Sequence, residues 1–227
     1  MIRPRRSLFL LLILIIISTG YALDAELKNV AVTVILQPDG GADIFYDLTY
    51  DVSAGELHGF YFEGMAVDPV FVREDCFAHL ESGSTVPLEI KKLAEKYYDV
   101  VLADERGFSG TGEFHLHYRG DMAAAGSIRK TTDSAGIEYY RFDWSPVQWA
   151  TPVDERSVRV VLPVAVSGER VKDDGIENLE ITISPETEQE NDIMWLGSKG
   201  DTEKYLLTVQ FRQVDIAPYQ MQHIRFS

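Results

Sequence analysis

The 227-residue chain contains a single cysteine, Cys76, so it cannot form an internal disulfide bond. Exported domains with a weak hydrophobic core often depend on disulfides. This chain must therefore be stabilised by packing alone. Cys76 lies inside the strand-like run VFVREDCFAHL, and we interpret it as a buried apolar thiol.

Positive charge is also scarce in this chain. Its 21 lysines and arginines face 36 aspartates and glutamates, which gives a net charge of −15. Nucleic acids and anionic membrane surfaces are bound through clusters of basic residues. We therefore expect no nucleic-acid partner, and the acidic composition fits a solvated, exported surface.

The common catalytic and cofactor motifs are missing from the sequence. It has no Gly-x-Ser-x-Gly elbow, no His-Glu-x-x-His and no glycine-rich phosphate loop. The segment GFSGTGE is rich in glycine, but its Ser109 lacks the strand-to-helix context of a nucleophile elbow. We therefore predict no cofactor and no enzymatic activity. A glycosidase-type carboxylate pair stays open, because the separation of two acids in space cannot be derived from their spacing in sequence.

Long apolar runs are limited to the N-terminus. Three arginines among the first six residues precede the ten-residue run Leu8–Ile17, and Gly20 and Ala22 supply small residues at a cleavage site. A transmembrane helix needs roughly 20 apolar residues. We predict that residues 1–22 are a signal peptide cleaved after Ala22, which exports the protein to the periplasm or the exterior. An uncleaved signal anchor is the alternative.

Residues 23–227 are rich in alternating apolar residues, the pattern of β-strands with one buried face. The first such runs are NVAVTVILQ and IFYDLTYDV, and the turn residues PDGG between them predict a hairpin with Asp39 and Gly40 at its tip. Asp43, Asp47 and Asp51 fall on the solvated face of the second strand.

Further runs of the same period extend to the end of the chain. They are Phe114–Tyr118, Tyr140–Trp144, Val158–Leu162, Leu179–Ile183 and Tyr205–Phe211, with additional strands expected near VFVRED, PLEIKK and KYYDVVL. The segment Leu88–Lys96 fits a helix or a hairpin, whereas GERVKDDGIEN and SPETEQEND are interpreted as surface loops. The sequence thus predicts one all-β domain, an antiparallel β-sandwich of immunoglobulin-like or jelly-roll-like type with few or no helices.

His115 and His117 are candidate metal ligands. They are two residues apart on a predicted strand, so both rings project from the same face. A Zn²⁺ or Cu²⁺ site needs a third ligand, for which His79 and His58 are available although no spacing indicates either. A solvated strand face that happens to carry two histidines is the simpler interpretation.

The stretch YYRFDWSPVQWATPVDE, residues 139–155, holds two of the three tryptophans. Alternation assigns Tyr140, Phe142 and Trp144 to the core and leaves Tyr139, Arg141 and Asp143 on the exposed face. Prolines at 146 and 152 cannot donate to a strand ladder, so Trp149 lies in a connection.

Two roles for Trp149 follow from this placement. In one, the side chain caps the open edge of the core and its indole N–H finds a carbonyl. In the other, it faces solvent as a ligand platform together with Tyr139, Arg141 and Asp143. We favour the cap, because tryptophan is usually largely buried.

The order of several segments resembles the N-terminal region of a bacterial membrane protein family, the domain of unknown function 2207 family. The segments are PDGGADIFYDLTYDV, LHGFYFEGM, GEFHLHYRG, YYRFDW and QWATPVDERSVRVVLP, and the resemblance covers residues 24–165. It implies an extracytoplasmic β-rich domain that is usually followed by a transmembrane segment and a cytoplasmic part, with no established reaction. The run His58–Glu63 departs from the family, which tends to carry a basic residue there. We expect the chain to be a portion of a longer, membrane-anchored protein.

Three functional hypotheses follow from the sequence. The leading one is a non-catalytic module that contacts an envelope or membrane protein. The second is a module that binds glycans or cell-wall fragments through Trp149, Tyr139 and Arg141, which would have to share one groove. The third is an enzyme, which would need a cleft with convergent carboxylates or histidines.

Overall fold

A computed structural model of the chain describes residues 22–171, 179–199 and 204–227. The signal-peptide prediction therefore lies almost wholly outside the described residues, as does most of the loop predicted at GERVKDDGIEN. The strands are β1 Asp24–Leu36, β2 Gly41–Leu57, β3 Gly59–Glu63, β4 Val70–Phe71, β5 Phe77–Leu80, β6 Thr85–Ala94, β7 Tyr97–Leu102, β8 Phe108–Asp121, β9 Ile128–Thr132, β10 Glu138–Trp144, β11 Val153–Val166, β12 Asp192–Lys199, β13 Tyr205–Ile216 and β14 Ile224–Phe226. Within the described residues, one α-helix, α1, spans Pro185–Glu190, and 3-10 turns occupy Arg73–Asp75 and Ala103–Glu105.

Eleven strands form one long sheet, and the other three form a small second sheet. The long sheet runs in the order β12-β13-β11-β1-β2-β8-β5-β6-β7-β3, with β4 added beside β8. All its pairings are antiparallel except that of β1 with β11, which is parallel from Leu27↔Val153 to Ile35↔Val161. The all-β prediction is thus confirmed, but the sheet is mixed and not purely antiparallel.

The predicted first hairpin is present between β1 and β2. Its turn is closed by the amide of Gln37, which donates to Gly41 O at 2.8 Å, and by the amide of Gly40, which donates to Gln37 O at 3.0 Å. Gly40 has φ +91°, a conformation that residues with a Cβ rarely adopt. The turn therefore fixes the register in which Val34 pairs with Ile44.

The far end of the long sheet returns over its own middle and forms a sandwich. Phe62 of β3 meets Tyr46 of β2 edge-to-face at 5.1 Å, and Phe60 stacks on Tyr50 at 5.9 Å. Aromatic pairs of this geometry contribute about 0.5–1.5 kcal/mol beyond the area that they bury. Aromatic contacts thus join the two layers across the core.

The small sheet, in the order β14-β10-β9, closes the other side of the molecule. Phe226 of β14 stacks on Phe142 of β10 at 4.9 Å and on Phe211 of β13 at 6.3 Å. This contact joins the small sheet to the long one. No helix among the described residues is long and apolar enough to cross a membrane.

Several local predictions need correction. The polar segment predicted as a loop at SPETEQEND contains α1, whose N-cap Ser184 accepts a hydrogen bond from the amide of Thr187. The segment Leu179–Ile183 forms no strand, because its only pairing is a single bridge between Ile183 and Phe226. Strand β12 was not predicted, and Leu88–Lys96 belongs to the β6–β7 hairpin.

The buried polar side chains include Tyr46 and Arg156, which bond to irregular backbone. The Tyr46 hydroxyl accepts a hydrogen bond from the amide of Val147 at 3.0 Å, and burial raises its pKa well above the usual range. Arg156 is only 1% exposed, and its guanidinium donates to Gln213 Oε1 at 2.9 Å and to Gln220 O at 3.2 Å. Burial lowers the pKa of Arg156 to about 10, so the side chain stays charged at neutral pH. These bonds fasten the 145–150 and 217–223 connections to the sheet.

We predict that Tyr46→Phe lowers the free energy of unfolding by about 1–3 kcal/mol, because the buried amide of Val147 loses its acceptor. Chemical denaturation of the variant checks this. Tyr50→Phe is the matched control, since Tyr50 is also buried but its hydroxyl bonds to no residue in the described ranges. Equal losses in the two variants would contradict the role assigned to the Tyr46 hydroxyl.

Candidate functional site

Trp149 lies in the core and not at the surface. Its side chain is 7% exposed and packs against Phe60 at 5.8 Å and Phe62 at 6.2 Å between ring centroids. The predicted carbonyl partner is missing, because Trp149 Nε1 is buried without a hydrogen bond in the described part of the chain. The ring seals the sandwich, and the alternative platform role is wrong because a buried indole presents no face to a ligand.

The other three candidate ligand residues lie on β10, away from this core position. Arg141 is exposed and donates to the Tyr139 hydroxyl at 3.3 Å. Asp143 is half-buried and binds His223 Nε2 at 2.5 Å and Arg225 Nε at 3.1 Å. Tyr140 is 66% exposed, which corrects its assignment to the core. The structure therefore does not unite Trp149, Tyr139 and Arg141 in one groove.

His117 is the centre of a charged network on the outer face of the long sheet. Its ring is 6% exposed, its Nδ1 lies 2.9 Å from Asp75 Oδ2 and its Nε2 lies 2.8 Å from Asp43 Oδ1. An imidazole can donate to two carboxylates only when both nitrogens carry hydrogen, so this geometry suits the imidazolium. Arg119 Nε donates to the same Asp43 oxygen at 3.0 Å, and Phe45 stacks on the imidazole at 4.1 Å.

His115 follows on the same face but belongs to a different pair. Its Nδ1 lies 2.6 Å from Asp47 Oδ1, and its ring packs against Phe77 at 4.6 Å and against His79 at 5.4 Å. His115 Nε2 is buried and has no hydrogen-bond partner in the described residues. His79 Nδ1 is in turn hydrogen-bonded to the Thr85 hydroxyl at 2.8 Å.

The two histidines do not converge on one metal position. Each binds its own carboxylates, and His58 bonds to Arg106 O at 3.0 Å, away from them in the sheet order. Among residues 22–171, 179–199 and 204–227, no three His, Cys, Asp or Glu side chains are grouped to hold a metal ion. The arrangement pairs each histidine with its own carboxylates and does not bring a metal-ligand set together.

The outer edge of β3 is open. Leu102 N donates to His58 O at 2.9 Å and Gly64 N donates to Lys96 O at 3.2 Å, which fixes the hydrogen-bonded positions of the β3–β7 ladder. Because such positions alternate in an antiparallel pair, the N–H and C=O of Tyr61 point away from β7. No other described segment bonds to them.

Side chains mark the same edge. Tyr61 is 60% exposed and lies 5.4 Å from the ring of Tyr97 on the solvated face. Gly59 permits the close approach of β7, because a Cβ there would meet Val100 O at 2.1 Å. A five-residue edge with free backbone groups and two adjacent tyrosines can accept an added strand.

Tyr61 and the third tryptophan, Trp195, which lines a groove beside β12, are not among the residues predicted from the sequence. Tyr61 is a candidate because β3 is the terminal strand of the long sheet, which is a property of the topology and not of the local sequence. A signal existed for Trp195, because Ile193 and Trp195 alternate with polar or exposed neighbours in the manner of a strand.

No family model and no curated protein matches the chain. Among solved structures, it is similar to the M1 zinc metallopeptidase of Deinococcus radiodurans, with 13% identity and a TM-score of 0.51 over 89% of this chain and 42% of that one. A variant of that enzyme bound to a Tyr-Ser-Ala substrate matches with 12% identity and a TM-score of 0.51 over the same shares. This likeness shows a shared fold. The chain spans less than half the length of the peptidase that it matches.

We predict that Trp149→Ala lowers the free energy of unfolding by about 3–5 kcal/mol, the usual cost of removing a large buried aromatic side chain. Chemical denaturation measures this loss. Tyr139→Ala is the control, because Tyr139 lies at the half-exposed face of β10 and should change stability far less. A Trp149→Ala protein as stable as the parent would contradict the core position.

The network around His117 predicts a loss of stability in acid. Burial raises the pKa of Asp43, but hydrogen bonds from His117 and Arg119 outweigh it, so the net pKa lies below the ordinary 3.8. A carboxyl with a lowered pKa stabilises the fold above its unfolded pKa and loses that contribution as the pH falls through the folded value. The pKa of Asp143 is lowered in the same way. Burial raises this pKa, but the interactions with His223 and Arg225 together outweigh the effect of burial.

We therefore expect the free energy of unfolding to be level near neutral pH and to fall below about pH 4. Asp43→Asn should be less stable than the parent at pH 7 and should lose less stability between about pH 5 and pH 2. Denaturation curves across this range measure both effects, with the exposed Asp51→Asn as control. An unchanged pH dependence in Asp43→Asn would contradict the assignment.

Proposed function

We propose that the chain is a non-catalytic, extracytoplasmic module of an envelope protein that binds an extended segment of a partner protein along the β3 edge. The observation that carries this proposal is the pair of unbonded backbone groups at Tyr61 beside the exposed Tyr61–Tyr97 pair. Adding a strand to a free sheet edge gives affinity through main-chain hydrogen bonds and specificity through alternate side chains.

Charge indicates the chemistry of the partner segment. Glu63 ends β3, Asp99 lies opposite Tyr61 in β7, and the whole chain carries a net charge of −15. An extended segment with basic side chains would be attracted to this surface, whereas an acidic segment would be repelled. The partner is therefore a protein with a basic, strand-forming stretch.

The proposed envelope location and the proposed non-catalytic role are supported by different observations. The predicted signal peptide and the resemblance to the domain of unknown function 2207 family favour an envelope location, with a membrane anchor as a further expectation. Non-catalytic function is supported by the sequence, since zinc peptidases of the His-Glu-x-x-His type need a motif that these 227 residues do not contain. The peptidase likeness concerns the fold and carries no activity to this chain.

A photo-crosslinking amino acid at position 61 of the full-length protein, produced in its source cells, tests the proposal. We expect one discrete adduct of higher mass, because the side chain at position 61 lies beside the added strand. The same substitution at Tyr140 is a matched control, as the two tyrosines are 60% and 66% exposed. Equal adduct patterns at both positions, or none at position 61, would overturn the proposal.

A proline variant then separates strand addition from contact by side chains alone. Gly59→Pro is unsuitable, because a side chain at position 59 would disturb the close approach of β7. Glu63→Pro is the better choice, because Glu63, like Tyr61, directs its N–H away from β7. Proline removes that outward donor without breaking the ladder. The adduct should weaken in Glu63→Pro and persist in Glu63→Asp, which keeps both the negative charge and the backbone N–H.

A further inference from the structure

A groove of about 490 Å³ lies at the opposite end of the long sheet, beside α1 and the edge strand β12. Ligand sites in proteins usually occupy about 300–1,000 Å³, so the groove has the volume of a small-molecule site. It is independent of the β3 edge, because β12 and β3 are the two terminal strands of the sheet.

The floor of the groove is apolar and includes an aromatic ring. Trp195 of β12 and Ile183 both line it, and Trp195 packs partly against the core. β12 pairs Trp195 with Val209 of β13, so the indole is carried by a regular strand. An aromatic surface held in this way can stack against the C–H face of a sugar ring.

Polar residues that line the groove are Thr182, Glu188 and Asn191. Asn191 is immobilised, since its Nδ2 donates to Thr187 O at 2.8 Å and its Oδ1 accepts from Gln222 Nε2 at 2.7 Å. Gln222 is fully buried, so its hydrogen bond holds the side-chain amide of Asn191 in a fixed orientation. Glu188 is exposed on α1, and no salt bridge joins it to any residue within the described ranges.

We propose that this groove binds a saccharide whose pyranose rings carry protonated amines. Sugar rings combine an apolar face with a rim of polar groups, which matches an indole floor with an amide and a carboxylate at its margin. The Glu188 carboxylate and the net charge of −15 select for a cationic sugar and against acidic ones.

Isothermal titration of the protein with a glucosamine tetramer tests this proposal. We expect saturable binding that weakens about tenfold in Trp195→Ala, the loss typical of removing an aromatic contact. Met194→Ala is the matched control, because Met194 is the exposed neighbour on β12 and does not line the groove. Binding should survive in Met194→Ala.

Glu188→Lys is the second variant, since an exposed helical position tolerates the change and the new charge repels an amine. It should abolish tetramer binding even if Trp195→Ala fails to fold. Two comparison ligands complete the design, the neutral N-acetylglucosamine tetramer and tetralysine, which has the amines but no rings. Absence of tetramer binding, equal binding of tetralysine, or binding unaffected by Glu188→Lys would each overturn the proposal.

Discussion

The parallel pairing of β1 with β11 is the constraint on which the rest of the structure depends. β1 is bonded on one side to β2 and on the other to β11, so it joins the two halves of the long sheet. Parallel neighbours cannot be connected by a tight hairpin. The chain between them therefore folds through seven strands of the sheet and the β9–β10 hairpin before it returns as β11. Most strands of the sandwich lie within this one connection, and β12, β13 and β14 follow β11.

That long connection also explains the polar groups in the core. The 145–150 segment has to pass beneath the sheet to reach β11, and its buried amide at Val147 needs an acceptor, which the Tyr46 hydroxyl provides. In the 217–223 connection the carbonyl of Gln220 needs a donor, which the guanidinium of Arg156 provides. An unpaired buried backbone group costs about 1–3 kcal/mol, so these two side chains are placed where irregular backbone enters the core.

Alternation predicted most strands and the first hairpin because each depends on neighbours in sequence. The parallel pairing of β1 with β11 was not predictable from local patterns, because it joins residues as distant in sequence as Leu27 and Val153. Helix α1 is six residues long and has no apolar period, although Ser184 and Pro185 form a recognisable helix start. Tyr140 shows a different limit: alternation assigns it to the same face as Phe142 but cannot tell that the core ends between them.

The topology also explains why the candidate sites lie at the ends of the sheet and not at Trp149 or the histidines of β8. The candidate side chains in the middle of the sheet already contact other residues: Trp149 packs inside the sandwich, and His117 is hydrogen-bonded to two carboxylates. Among the described residues, the two terminal strands of the long sheet carry accessible groups, the backbone of Tyr61 on β3 and the groove face of Trp195 on β12. A strand becomes terminal through the topology of the whole chain, so its free groups cannot be recognised from local sequence. A shared fold therefore does not by itself specify what the free ends of the sheet bind.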